Sequence, residues 1–328
     1  MFSVKYKKFF LIFSAIMMMA ALAVIVKFGL RPSLEFTGGS LMEVSYTETL
    51  EVATIEAAVA DLDYGSLSVR AAGNVTPERE SFHIRTRSLS DEERSRLETA
   101  VKSLGESAEV ERFTSVGPSI GSELQQKSYW AIGMVILVIT LYIAYAFLGV
   151  GRPVSSFAYG GITVLSLVHD IIIPIALMSL MGYYVGAEAD ILFVMAILAV
   201  LGYSVNDTVV VFDRVRENIR LNRTEKRVRV TEPGGMVREE VEYTLTKPFA
   251  EIIGSAVTQS VARSINTSLT TALVLVGLYF LGGDVTQNFA LILLVGVIAG
   301  VYSSLFLAAP LLLVYHDWRE SRDKTVKK

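Results

Sequence analysis

The 328-residue chain contains no cysteine. That excludes disulfides, thiolate metal sites and cysteine nucleophiles. Lysine and arginine are missing from two short stretches, 183–188 and 283–288, although the chain carries 30 of these residues. What dominates is apolar: 52% of residues are hydrophobic, and the mean hydropathy is positive. That balance is too apolar for an ordinary soluble domain and predicts a multi-span membrane protein. The net charge of −3 says little, because in such a protein the distribution of charge matters more than the sum.

A spanning helix needs about 20 mainly apolar residues. Six segments meet that requirement: 9–26, 130–148, 157–182, 189–212, 265–282 and 289–315. Lys5, Lys7 and Lys8 precede the first, and Arg152 lies between the second and third. Ten Lys/Arg fall between Arg214 and Arg263, and five between Arg319 and Lys328. The excess of basic residues on one side predicts that both termini and the Arg-rich loop are cytoplasmic and that residues 27–127 lie outside. The N-terminus, with lysines, an apolar stretch and "ALA" at 21–23, also has the look of a cleavable signal. Val24, Ile25 and Val26 prolong the run to spanning length, so an uncleaved anchor is expected.

The expected division is therefore a cytoplasmic N-terminus with the first span (1–29), an extracytoplasmic domain (30–127), spans two to four (128–212), a cytoplasmic basic loop (213–262), spans five and six (263–315) and a cytoplasmic tail (316–328). Within the outer domain, "SLMEVSY" (40–46) alternates as a strand. "VATIEAAVADL" (52–62) places Ile55, Ala58, Val59 and Leu62 on one helical stripe. Residues 66–72 and 81–87 read as strands around a loop at 73–77. Ser90 followed by Glu93 opens a helix as a capping box, with Leu97, Val101 and Leu104 at helical spacing, and 108–116 supplies a last strand. The order βαββαβ is the ferredoxin-like split motif. That fold hosts many activities and does not identify one. His83 reads as an ordinary strand residue, and no catalytic constellation is visible in this domain.

Ionisable residues inside spans are rare and functional by default. His169, Asp170, Asp207 and Arg263 stand out. At about 1.5 Å per residue, Asp207 lies about 27 Å and Arg263 about 30 Å from the outer ends of their spans, while Asp170 lies about 18 Å deep. Acid and base thus share a level, and bringing them together or apart would let Asp207 take up and release a proton. Asn206, Ser204, Ser264, Asn266, Thr267, Thr270 and Thr271 could line that place. Blander readings stand beside this one. Arg263 could snorkel to headgroups, and Asp207 could reach the interface through water. Ser and Thr also simply pack helices. His169 and Asp170 could satisfy neighbouring helices; being adjacent, they point about 100° apart, which makes direct pairing awkward. A Ser204–His169 nucleophile–base dyad is conceivable from depth alone, without any oxyanion-hole element in view. Gly296, Gly300 and Ser304 form a small-residue stripe suited to close helix packing. Pro174 and Pro310 are candidate kinks.

"GYSVNDTVVVFDRVREN" (202–218) closely resembles the fourth-span signature of the SecF family, export-assisting membrane proteins of the bacterial Sec system. "EFTGGS" (35–40), "VGPSIGSEL" (116–124), "HD" (169–170) and "RSINTSLTT" (263–271) match as well, so the resemblance covers nearly the whole chain. It implies a polytopic α-helical membrane protein of the resistance-nodulation-division architecture, with six spans and an outer domain, in the cytoplasmic (inner) membrane. It implies SecD as partner, then the SecYEG translocon with SecA, and a translocating unfolded polypeptide drawn outward at the expense of a proton or sodium gradient. On motif position, Asp207 is the proton-linked carboxylate and Arg263 its basic partner. Asp170, His169, Asn206, Thr270 and Thr271 belong to the surrounding relay. No resident cofactor, no enzymatic activity and no nucleic-acid partner are expected, and the bilayer is the remaining contact. Three departures matter. Glu35 stands where the family motif usually has Asp. The stretch 221–253 looks long, either a solvated loop or a basic insertion touching headgroups, ribosomal or translocase components. The SecD-like half is not within these residues, so a further chain is expected. Half of a small-molecule exporter and a passive membrane scaffold remain as alternatives.

Overall fold

A computed structural model describes residues 2–65, 67–76, 79–147, 154–231 and 237–326. Pro77 and Arg152, singled out above, lie outside the described residues. The elements run α1 (Phe2–Lys5), α2 (Lys7–Phe28), α3 (Leu34–Thr37), β1 (Gly39–Tyr46), α4 (Val52–Ala60), β2 (Ser68–Thr76), β3 (Arg79–Thr86), α5 (Asp91–Lys102) and β4 (Glu109–Val116). They continue with α6 (Pro118–Ala146), α7 (Ser156–Tyr184), α8 (Ile191–Leu221), β5 (Arg223–Thr231), β6 (Val237–Leu245), α9 (Phe249–Leu281), α10 (Asp284–Ser303), a π turn (Ser304–Ala308) and α11 (Ala309–Val326). Two compact units result, one of Pro32–Trp130 and the other of the remaining chain, with the boundary inside α6.

The Pro32–Trp130 unit is the ferredoxin-like domain. Its sheet has the order β2-β3-β1-β4 with every neighbouring pair antiparallel, the arrangement that two interleaved βαβ units produce. Alternation puts Met42, Val44 and Tyr46 of β1 and Phe82 and Ile84 of β3 on one face, all at most 2% exposed. Ile55 and Val59 of α4 and Leu97 and Val101 of α5 close that face. The capping box forms as expected, with the Ser90 hydroxyl accepting from the Glu93 N–H and the Glu93 carboxylate accepting from the Ser90 N–H. The loop expected at 73–77 is shorter than that, because β2 continues through Thr76.

The "GG" of "EFTGGS" and the second glycine of "VGPSIGSEL", Gly121, meet here. Gly38 and Gly39 have φ of +70° and +121°. A Cβ on Gly39 would lie 2.6 Å from the Thr86 carbonyl oxygen, and one on Gly121 would lie 2.8 Å from the Gly38 nitrogen. At Gly38 and Gly39 only glycine satisfies both the backbone angle and the contact, whereas at Gly121 the contact alone excludes a side chain.

Six helices are long and apolar enough to cross a membrane: α2, α6, α7, α8, α9 and the composite of α10, π turn and α11. The segment 213–262 is not the loop expected from its charge. Helix α8 runs on to Leu221, β5 and β6 pair as an antiparallel hairpin, and α9 already begins at Phe249. The charges interrupt hydropathy, which sets where lipid ends, but Arg, Glu and Lys are good helix formers and do not stop the helix. The π turn sits where the Pro310 ring would otherwise crowd the Phe306 carbonyl, and a widened turn removes that conflict.

A candidate intramembrane polar site

Two apolar clusters hold the spans together. One gathers Leu167, Ile197, Val200, Leu201 and Ile292. The second gathers Phe147, Tyr159, Phe212, Phe249 and Leu312. On α8 the first cluster ends at Leu201 and the second begins at Val211. Between them lie Ser204, Asp207 and Thr208, all buried. A polar layer is therefore sandwiched between two greasy ones, where each unmet hydrogen bond is costly.

The stripe of small residues on α10 builds this layer. A Cβ on Gly296 would lie 2.1 Å from Val200 Cγ2, and one on Gly300 would lie 3.1 Å from Ser204 Cβ. One turn further, Ser304 Oγ and Thr208 Oγ1 are 3.2 Å apart. Residues 296, 300 and 304 thus meet 200, 204 and 208, two i, i+4 rows in close contact.

That approach lets three helices converge on Asp170 of α7, which is fully buried. Ser204 Oγ donates to its Oδ2 at 2.5 Å, and Ser303 Oγ donates to the same oxygen at 2.6 Å. His169 Nδ1 lies 2.9 Å from Oδ1. The adjacent pair does bond directly, contrary to the expectation from their 100° separation. Both side chains are buried in the same seam. The geometry does not pair Ser204 with His169: the Ser204 hydroxyl donates to Asp170, and among the described residues His169 Nε2 is buried without a hydrogen-bond partner.

Asp207, on the next turn of α8, is 6% exposed. Ser268 Oγ of α9 donates to its Oδ2 at 3.2 Å. Ser264 lies buried beside the same carboxylate. Arg263 does not join them. It is exposed, forms no ion pair with Asp207 within 4.0 Å, and lines a polar pocket of about 350 Å³ with Arg214, Glu217, Asn218, Gln259 and Ser260. The reason is rotation rather than depth. Ser264 and Ser268 are four apart and face Asp207 together, so Arg263 is turned about 100° away. Asn206 and Thr270 are exposed on this chain, and Thr271 is half-buried; both threonine hydroxyls donate to the Thr267 carbonyl.

Sequence reasoning missed Ser303, Ser268 and Ser166. Ser303 is three residues beyond Gly300, and Ser268 is four beyond Ser264, so helical spacing from residues already singled out would have found both. Among the described residues, no group of three or more His, Cys, Asp or Glu is arranged to hold a metal ion.

Six spans, a ferredoxin-like domain between the first two, and carboxylates buried at span depth define a multi-pass membrane protein with an intramembrane polar site. The family profile "Protein export membrane protein SecD/SecF, C-terminal" matches residues 96–233 and 235–318, and "SecD/SecF GG Motif" matches residues 23–49. The chain is 32% identical to a protein translocase subunit SecF of Thermobaculum terrenum over 96% of its own length and 93% of the relative's. It is 30% identical to a protein translocase subunit SecDF of Thermus thermophilus over 94% of its length but only 38% of that longer protein. The crystal structure of SecDF, a translocon-associated membrane protein from the same organism, superposes with a TM-score of 0.73 at 27% identity, covering 96% of this chain and 38% of that one. The chain belongs to the SecD/SecF family of protein-export membrane proteins.

Proposed function

We propose that this chain is the SecF-type subunit of an export assembly, in which it works with a SecD chain to couple a proton or sodium gradient to late steps of polypeptide translocation. The observation that carries this reading is Asp207, an ionisable group at span depth that accepts from the Ser268 hydroxyl and has no fixed counter-charge among the described residues. A carboxylate so placed gains or loses a charge with each bound cation, and that change can bias helix packing around it. Asn206, Arg263, Asn266, Thr267 and Thr270 are exposed on this chain near the same depth. Polar side chains turned outward in the bilayer call for a partner helix, which supports an adjoining chain such as SecD. The fused SecDF relative, of which this chain matches 38%, has room for that partner in the rest of its length.

In this reading, SecYEG with SecA hands over the unfolded polypeptide, the Pro32–Trp130 unit faces outside, and both termini with the β5–β6 hairpin face the cytoplasm. The Lys/Arg distribution supports that orientation. The small-molecule exporter alternative is disfavoured, since the relatives reported are translocase subunits. The test is Asp207→Asn in inverted membrane vesicles containing the SecD partner. Proton conduction and late-stage secretion should both fall by about tenfold or more, as losing a charged acceptor worth about 1.5–3 kcal/mol predicts. Unchanged rates in both assays overturn the reading.

A further inference from the structure

We propose that the polar pocket between α8 and α9, at their ends nearest the β5–β6 hairpin, is a binding site for the phosphodiester headgroup of an anionic phospholipid. The pocket holds about 350 Å³ and is lined by Arg214, Glu217 and Asn218 of α8 and by Gln259 and Arg263 of α9. Two guanidiniums against one carboxylate leave the lining with a net charge of +1. The carboxylate is already engaged, since Glu217 accepts from Arg214 Nη1. Arg263 is exposed and, among the described residues, forms no ion pair and donates no hydrogen bond. The side-chain amide of Asn218 donates to Gln259 Oε1 at 3.2 Å, which ties the two helices and leaves the Gln259 NH2 to donate elsewhere.

The level of the pocket in the bilayer selects a lipid. Arg214 stands two residues past the apolar run that ends at Phe212, and Arg263 two residues before the run that begins at Ile265. Both guanidiniums therefore lie where hydrocarbon gives way to headgroups. Val210 and Leu221 complete the rim, and Leu221 is 75% exposed, so the glycerol and the first acyl carbons have apolar surface to lie on. The charge selects the headgroup. A guanidinium fork matches two oxygens of one phosphate. A phosphodiester brings a single negative charge and neutralises the lining. A zwitterionic headgroup adds a cation that the guanidiniums repel.

The same two helices hold Asp207 against Ser268. Arg214 follows Asp207 by seven residues, about 10 Å along α8. A phosphate shared by Arg214 and Arg263 joins α8 to α9 through a second bridge beside the Asn218–Gln259 bond, and so fixes their spacing close to that carboxylate. The lipid site needs only the membrane placement of these helices and stands whether or not Asp207 carries ions.

The test is native mass spectrometry of the full chain with its SecD partner in detergent, with phosphatidylglycerol, phosphatidylcholine or inorganic phosphate added. Phosphatidylglycerol should be retained about tenfold or more tighter than phosphatidylcholine, and one retained molecule should depend on the pocket. Arg214→Gln and Arg263→Gln should each weaken that molecule's binding by about tenfold or more, since each removes a charge-assisted contact. If either variant disturbs the packing of α8 on α9, Gln259→Glu serves. It changes an exposed side chain, keeps the acceptor for Asn218, cancels the net charge of the lining and should weaken binding as much. Arg220→Gln removes an exposed charge of α8 outside the pocket and should leave binding unchanged. Equal retention of the two lipids, or binding unmoved by the pocket variants, overturns the proposal. So does an equal loss in Arg220→Gln, which would show only the general attraction of a basic surface. Displacement by equimolar inorganic phosphate would make the ligand a free anion and overturn the lipid assignment. A carboxylate of the partner chain in the pocket would also overturn it, read as poorer recovery of SecD with Arg263→Gln while lipid retention is unchanged.

Discussion

Gly296→Ala is the substitution that most directly probes how the polar layer is built. The new methyl would lie 2.1 Å from Val200 Cγ2 and 2.9 Å from Cγ1, whereas ordinary contact begins near 3.4 Å. Val200 is fully buried and β-branched, so it cannot rotate away. The helices must part by about 1 Å, an overpacking cost of about 1–3 kcal/mol. That shift stretches the 3.2 Å Thr208–Ser304 contact beyond hydrogen-bonding range, a further loss of about 1 kcal/mol. A destabilisation of about 2–4 kcal/mol is expected from a change that on helix propensity alone would be favourable by up to about 1 kcal/mol. Gly202→Ala is the control, because a Cβ there meets nothing within 4 Å. Adding Val200→Ala should relieve the clash, giving a coupling of about 1–3 kcal/mol in a double-mutant cycle. Equilibrium unfolding of the purified chain in mixed micelles measures all four. An additive cycle, or a Gly296→Ala no less stable than Gly202→Ala, refutes the close α8–α10 approach.

Two further outcomes concern the outer domain. The Arg87 guanidinium, followed by the Ser90 N–H, holds the Glu93 carboxyl down to about 2. A carboxyl lowered in the folded state stabilises fully above the ordinary glutamate value near 4.3 and loses that contribution as pH falls toward 2. Glu93→Gln should therefore flatten the acid limb of stability in that window, read by amide exchange along α5, and an unchanged limb contradicts the ion pair. Burial, and secondarily Glu48, pushes the Tyr46 phenol up to about 12, and its hydroxyl donates to the Val101 carbonyl at 3.0 Å. Tyr46→Phe should cost about 1–3 kcal/mol by stranding that carbonyl, and the wild-type minus variant absorbance difference should show ionisation only near pH 12. A phenolate signal near pH 10 contradicts the buried placement.

The outer domain was legible almost to the residue. Its core stripes, Ile55 with Val59 and Leu97 with Val101, are fixed by periods of 3.6 and 2 that need no knowledge of partners. The capping box is equally local, since Ser90 and Glu93 bond within one turn. The end of β2 was misjudged because Gly73 reads as a breaker while pairing with β3 carries the strand past it. The hairpin in 223–245 was hidden for a related reason: strands that alternate charge with valine resemble a polar loop until they pair.

Asp207, Asp170 and His169 were found by type, as ionisable residues in apolar runs, and their depth followed from the helix rise. Their bonds were not legible. Depth put Arg263 level with Asp207, yet rotation of α9 turned Ser264 and Ser268 toward that carboxylate instead.

The sequence by itself determined how many times the chain crosses a membrane, the βαββαβ order of the outer domain and which side chains are costly to bury. These follow from hydropathy and periodicity, properties of one element at a time. Tertiary structure alone decided which carboxylate meets which donor. A hydrogen bond depends on helix rotation and on separations of a fraction of an ångström, and both are set by packing between helices, down to the missing side chains of Gly296 and Gly300.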